Sequence, residues 1–249
     1  MAYQIKRNSI FCFFIFCSIT SFSQVLVTDT ALRTPAALAA VNVYQKAMLT
    51  QLPLYNGPEY YFANPHILGS AFFNENNDWH IGSVVYEGVK YEKLPIRYDI
   101  FKNAAVILHY NGVSPLYLIE DKVASFSWDS NNFINLKTGQ AAIANLSPGY
   151  YRAIYTGPSK ILGKYKVELQ SVVGSIGSTT AGEFRHVKRY YALVANNYIE
   201  FKNAKGLLSV FKEKRKELRQ YIKANQINIK ENPEEAMAIL ATEYDRINK

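Results

Sequence analysis

GSVVYEGVKYEKLPIRYDIFKN, Gly82 to Asn103, decides the reading of this chain. Two apolar, aromatic runs flank Glu87-Gly88, and a third begins just beyond Lys102-Asn103. Such short links leave no room for a crossover helix, so the runs are expected to pair antiparallel as the opening of a meander.

Downstream the same punctuation recurs. Turn residues fall at Asn111-Gly112, Glu120-Asp121, Asp129 to Asn132 and Thr138-Gly139, mostly at intervals of about eight to fifteen residues. Between them lie runs rich in β-branched and aromatic residues, at 81–86, 89–91, 94–101, 104–110, 113–119, 123–128 and 133–137. Further strands are expected at 150–155, 161–173, 186–195 and 198–202. In ILGKYKVELQSVV, Lys164, Lys166, Glu168 and Gln170 alternate with Tyr165, Val167 and Leu169, which predicts one wet face and one covering a core. AAVILHY and VSPLYLI are apolar on both parities and are expected to be covered on both sides. The stretch between Val173 and Phe184, GSIGSTTAGE, is glycine- and serine-rich without periodicity and reads as a mobile loop.

Upstream, Thr34-Pro35 provides an N-cap hydroxyl and a first-turn proline, which predicts a helix over about 35–49. Its apolar positions Leu38, Val41, Tyr44 and Met48 give it one face to dock on the body of the protein. Asn56-Gly57-Pro58 marks a turn, and 66–77 reads as loop with a short extended piece at 71–73. At the other end, a helix is expected over 204–224. Leu207, Leu208, Phe211, Leu218, Tyr221 and Ile222 form one side, and lysines and arginines from Lys212 to Lys223 form the other. Asn232-Pro233-Glu234-Glu235 then opens a second helix, with a cap, a proline and acids at the positive helix end, and a buried stripe of Met237, Leu240, Ala241, Tyr244 and Ile247.

The first residues, MAYQIKRNSIFCFFIFCSITSFSQ, place Lys6 and Arg7 before an apolar run and end in small residues, which reads as a secretory signal peptide over 1–23. That apolar run is well short of the roughly 20 residues of a membrane-spanning helix. Cys17 lacks the small preceding residues of a lipid-attachment site, since Ile15 and Phe16 stand before it. Both cysteines, Cys12 and Cys17, lie in the signal, so the processed chain carries neither thiol nor disulfide. Loss of Lys6 and Arg7 reduces the net charge from +8 to +6, a basic excess that suits acidic glycans, anionic headgroups or nucleic acid without selecting one. An exported protein has little reason to read nucleic acid.

Catalytic motifs are missing from the sequence. The histidines His66, His80, His109 and His186 are dispersed, with no close pair of zinc ligands, and Asp78 and His80 read as a loop-end polar pair. No GxSxG elbow is present, and Gly174-Ser175-Ile176-Gly177-Ser178 lacks the lysine of a phosphate-cradling loop. No cofactor or metal is expected. Glu120, Asp121 and Asp129 sit at turns, where acids are ordinary. Asp99 stands inside a strand beside Arg97, and an ion pair or a turn-closing hydrogen bond is its expected role, with catalysis as the rival. The 19 tyrosines offer flat apolar faces with polar tips. Tyr86, Tyr91, Tyr98, Tyr117, Tyr151 and Tyr155 are strand residues expected to line one sheet face, and together with Asp99 they are the candidate ligand-binding residues. The basic face from Lys212 to Lys223 is broken by Glu213 and Glu217, which can pair along the helix, and reads as solvated.

LYNGPEY, GSVVYEGVKYEKLPIRYD and LLSVFKEKRKELRQYIKAN together resemble a group of uncharacterised exported proteins of Bacteroidota. The resemblance spans about 54–225 and implies a place in the periplasm, at the outer membrane or outside the cell. It carries no active site. The expectation is therefore a single α+β, mainly β domain over 24–249: an antiparallel meander over about 80–202 forming a curved sheet or partial barrel, one N-terminal helix and two C-terminal helices over about 204–249. The expected function is that of a non-enzymatic envelope or secreted protein binding a partner protein, a lipid or a glycan on the tyrosine-rich sheet. A hydrolase using Asp99 is the alternative.

Overall fold

A computed structural model of the chain describes residues 34–48, 51–61, 67–171 and 182–248. The signal segment and most of the glycine- and serine-rich stretch lie outside the described residues. The chain divides into two compact units, Met1–Met48 and Leu49–Lys249. In the first, helix α1 (Pro35–Ala47) starts as the sequence predicts, with the Thr34 hydroxyl accepting from the Ala37 N–H at 3.2 Å.

The second unit is a curved sheet that does not close into a barrel, with helices at its C-terminal end. Its strands are β1 (Ile67–Leu68), β2 (His80–Tyr86), β3 (Val89–Asp99), β4 (Ala104–Leu108), β5 (Pro115–Tyr117), β6 (Val123–Trp128), β7 (Asn131–Leu136), β8 (Gly149–Tyr155), β9 (Ile161–Gln170), β10 (Gly182–Val194) and β11 (Asn197–Phe201). The β2–β3 hairpin turns on Glu87-Gly88, both at positive φ as a two-residue hairpin turn requires. The order across the sheet is β1-β10-β9-β8-β7-β6-β2-β3-β4-β5, with β11 also on β10.

Two departures from a simple meander follow. After β5 the chain returns and lays β6 against the free side of β2, so two antiparallel meanders fan out from β2. β1 pairs with β10 in parallel, which makes the sheet mixed. The returning strand keeps register with β2 from Gly82 to Val85, with Val84 opposite Phe126 and Ser83 opposite Ser127, and shifts by a bulge before Tyr86. A short helix, α2 (Thr138–Ile143), covers the connection into β8, where the sequence shows only a turn.

The inner face follows from the register. Val84, Phe126, Phe133, Arg152, Gly163, Tyr190 and Phe201 are successive cross-strand partners and therefore share one face. Over β2 to β7 that face is filled by aromatic rings. Phe73 enters from the segment after β1 and packs edge-on against Trp128, Phe133 and Tyr165 at 5.9, 5.1 and 4.8 Å between centroids. Tyr98 meets Phe133 and Tyr150 in the same way and packs tilted against Phe126.

Over β8 to β11 the face is covered by helices α3 (Ala204–Val210), α4 (Arg215–Ala224) and α5 (Pro233–Ile247). The expected helix over 204–224 is thus broken. Leu207, Leu208 and Leu218 are buried, but Lys212 to Lys216 supply nothing apolar between them. The chain leaves the helix at Phe211, whose ring stacks on Tyr244 at 3.8 Å. α5 keeps its predicted stripe, although the Asn232 side chain makes no capping bond.

β4 is buried on both parities, as expected, but the same expectation fails for VSPLYLI, where Val113 is exposed and β5, at the sheet edge, is buried only at Leu116. Tyr60 and Phe72 cluster with Val106 on the outer side of β4, and Trp79 and Tyr117 pack around them.

Candidate functional site

The seven residues singled out in the sequence do not converge. Tyr86 and Tyr98 are fully buried and belong to the inner packing. Tyr91 is buried in β3. Tyr155 donates to the Asp245 carboxylate at 2.8 Å and fastens β8 to α5. Asp99 accepts from the Tyr60 hydroxyl at 2.8 Å and from the Lys102 N–H at 2.8 Å, closing the β3–β4 turn. Burial raises its pKa despite those two donors. Arg97 turns away from it and stacks over Trp79 at 3.7 Å and Phe72 at 4.7 Å. Tyr117 joins this group through Lys102, which donates to its hydroxyl at 2.7 Å. His80 stacks on Trp128. Tyr151 is itself fully buried, but the Lys164 ammonium packed against its ring borders a cleft.

That cleft arises from a defect in the sheet. β8 pairs with β9 from Tyr155–Ile161 to Arg152–Gly163 and then parts from it. Gly149 to Tyr151 stay on β7, while Lys164 to Gln170 stay on β10. No backbone hydrogen bond joins residues 164–170 to described residues on the β8 side. Alternate N–H and C=O groups of β9 therefore face the gap, because a strand presents its ladder groups to both sides in turn. The turn at Ile100 to Asn103 sits in the mouth of the wedge, leaving about 310 Å3 between it, Ser147-Pro148 and the β9 edge. Beyond Ile100 and Tyr165 a smaller cleft of about 200 Å3 continues to His186 and Lys188.

Lys164 stands at the apex of the split. It is only 5 % exposed, which corrects the expectation that its face of β9 is wet: Lys166, Glu168 and Gln170 are exposed, Lys164 is not. The cause is the chain entering β8. Among the described residues the Lys164 ammonium makes one hydrogen bond, to the Pro148 carbonyl at 3.0 Å, and lies 4.4 Å from the Tyr151 ring centroid. Gly149 lets this happen, since at φ +113° it has no Cβ, and one placed there would lie 2.7 Å from Lys164 Nζ. Burial lowers the Lys164 pKa to about 8, helped by the neighbouring Lys166 charge and opposed by Glu120. Glu120 is reached through Asn103, which donates to its carboxylate at 3.1 Å and accepts from the Tyr98 hydroxyl at 2.9 Å.

An ammonium with three donors and one acceptor, partly stripped of water, is a site for an anion. In the sequence Lys164 is indistinguishable from Lys166, because the split that buries it comes from β8 leaving the ladder. Asn103 carried a signal only as a turn residue. Among the described residues no group of three or more His, Asp, Glu or Cys side chains is placed to hold a metal ion, and no helix is long and apolar enough to cross a membrane. No family model, curated protein or solved structure matches the chain.

Proposed function

We propose that this is an exported, non-enzymatic binding protein that holds an anionic group of its ligand or partner in the split between β8 and β9. The observation that carries the reading is the Lys164 ammonium, buried at the apex of an open cleft with a single hydrogen-bond acceptor among the described residues. The inner face does not serve as the binding surface, because Phe73, Phe126, Phe133, Trp128 and Tyr98 fill it with mutual ring contacts. The signal-like first 23 residues support export, and the resemblance to exported Bacteroidota proteins supports an envelope or secreted location. Asp99 adds no weight to the hydrolase alternative, since one of its oxygens accepts from the Lys102 N–H across the turn and the other from the Tyr60 hydroxyl.

The test is NMR of the lysine side chains during titration with acetate, sulfate and a galacturonate oligomer. The reading expects the Lys164 signals to move with at least one anion and its pKa to rise from about 8 on binding, because a bound anion favours the charged form. Lys164→Met should abolish that response. If none of the three anions moves Lys164 while surface lysines respond, the proposal fails.

A further inference from the structure

Resting on the split as a binding site, the geometry adds a direction. β8 is antiparallel to β9 and leaves the ladder after Arg152, going back towards Gly149. Any chain that fills the vacated line beside Lys164 to Gln170 with antiparallel pairing runs as β8 runs. It then reaches the apex with its C-terminal end. There it meets Lys164, where the ammonium has donors to spare. The cleft volume, about 310 Å3, is at the small end of the roughly 300–1,000 Å3 of ligand sites. It has room for the end of a chain and none for a long strand. The exposed Lys166 beside it repeats the preference for negative charge.

We propose that the split receives the C-terminal end of a partner polypeptide, added as a short antiparallel strand to the open edge of β9, with its terminal carboxylate on the Lys164 ammonium. Backbone pairing supplies sequence-tolerant affinity, and the carboxylate sets the register. Because edge strands are commonly shielded by lysines alone, the deciding feature is that Lys164 is buried at the apex of the wedge while Lys166, on the cleft wall, is exposed to solvent.

The experiment is a titration of the nitrogen-15-labelled protein with an acetylated Thr-Val-Thr-Val-Thr-Val peptide as the free acid, as the C-terminal amide, and N-methylated at alternate residues. The free acid is expected to shift the amides of 164–170 and to slow the hydrogen exchange of those that face the gap. Amidation should weaken binding about tenfold, through loss of a charge-assisted hydrogen bond. N-methylation should abolish it. Lys164→Met should make acid and amide bind alike, while Lys166→Met should not.

Equal binding of acid and amide to the unaltered protein would overturn the proposal, as would full protection of the gap-facing amides of 164–170 before any peptide is added. If acetate or galacturonate moves Lys164 and the peptides do not, the polypeptide inference falls and the anion-binding reading stands. If no anion of any kind moves Lys164, both fall.

Discussion

At the scale of the residue, Lys164 is the group whose environment departs furthest from what its position in the chain implies. Its pKa of about 8 in the folded protein lies below the ordinary 10.5. Between those values the unfolded chain holds a proton that the folded chain has released, so stability rises with pH across that window. Below about pH 8 both states are protonated and the penalty is constant. The gain should be on the order of 1–3 kcal/mol and absent from Lys164→Met, when urea midpoints of the two proteins are compared from pH 7 to 10. Tyrosines that burial raises, such as Tyr98 and Tyr151, act in the opposite sense at the alkaline end, and taking the difference between the proteins removes them. Lys166 and Glu120 face the same ammonium, Arg189 is its cross-strand neighbour and Tyr151 lies against it, so these groups set the midpoint. A second residue-scale expectation concerns Asp99. Its two oxygens each take one donor, so Asp99→Asn leaves one buried donor facing an amide N–H. We expect a loss of about 1–3 kcal/mol by denaturant unfolding, with the response of Lys164 to anions unchanged. Loss of that response would tie Asp99 to the site.

At the scale of the element, the decisive contact is that of α5. The acid in its first turn reads in sequence as a partner for the helix dipole. Glu234 does more than that, because it accepts from the Tyr165 hydroxyl at 2.7 Å, from the Tyr190 hydroxyl at 2.8 Å and from the Arg152 guanidinium. Three strands, β8, β9 and β10, are thereby tied to one helix terminus. Gly163 leaves space for the Tyr165 ring, which a Cβ would meet at 3.1 Å. Glu234→Ala strips a partly buried arginine of its partner and should cost about 3–5 kcal/mol. Glu234→Gln, which keeps an acceptor, should cost less. The urea midpoints of the two variants order these outcomes, and equal, negligible effects would show that the apolar contacts of Met237, Leu240 and Ala241 suffice. The break at Phe211 belongs to the same scale. Helix α4 keeps its cationic side in solvent, while Glu213 and Glu217 form none of the expected ion pairs with Lys214, Lys216 or Arg219 among the described residues.

At the scale of the whole sheet, the aromatic filling and the split are linked. Phe73 occupies the inner face beside Tyr165, just across from the wedge, and the adjoining backbone is laced to the β3–β4 turn by the Ile100 N–H to Ala71 carbonyl bond of 2.8 Å. The same segment bonds to β10 through the His186 ring and the Ser70 carbonyl at 2.7 Å. It therefore bridges the two sides of the open sheet where hydrogen-bonded strands do not. Phe73→Ala should leave a cavity and cost about 3–5 kcal/mol, read as a lowered thermal midpoint. If Phe73 instead merely covers a preformed hollow, the variant will keep its midpoint and bind small apolar molecules, and the inner face would return as a binding surface.

Much of this architecture was legible in the residues alone, because its causes are local. Period-two alternation and turn residues such as Glu87-Gly88 placed most strands, and Thr34-Pro35 and Pro233 placed the starts of two helices. What lay beyond reach was set by contacts distant in sequence. Whether β6 pairs with β5 or with β2 depends on which edge offers a matching inner face, and Phe126 and Trp128 match Val84 and Gly82. The candidate residues are strand tyrosines and an in-strand acid, yet the register sends Tyr86, Tyr91 and Tyr98 to the inner face and Asp99, Tyr117 and Tyr151 to the other. Lys164 shows the same limit most plainly: the alternation told which side of β9 it occupies, and only the parting of β8 from that strand decided that this side is closed to water.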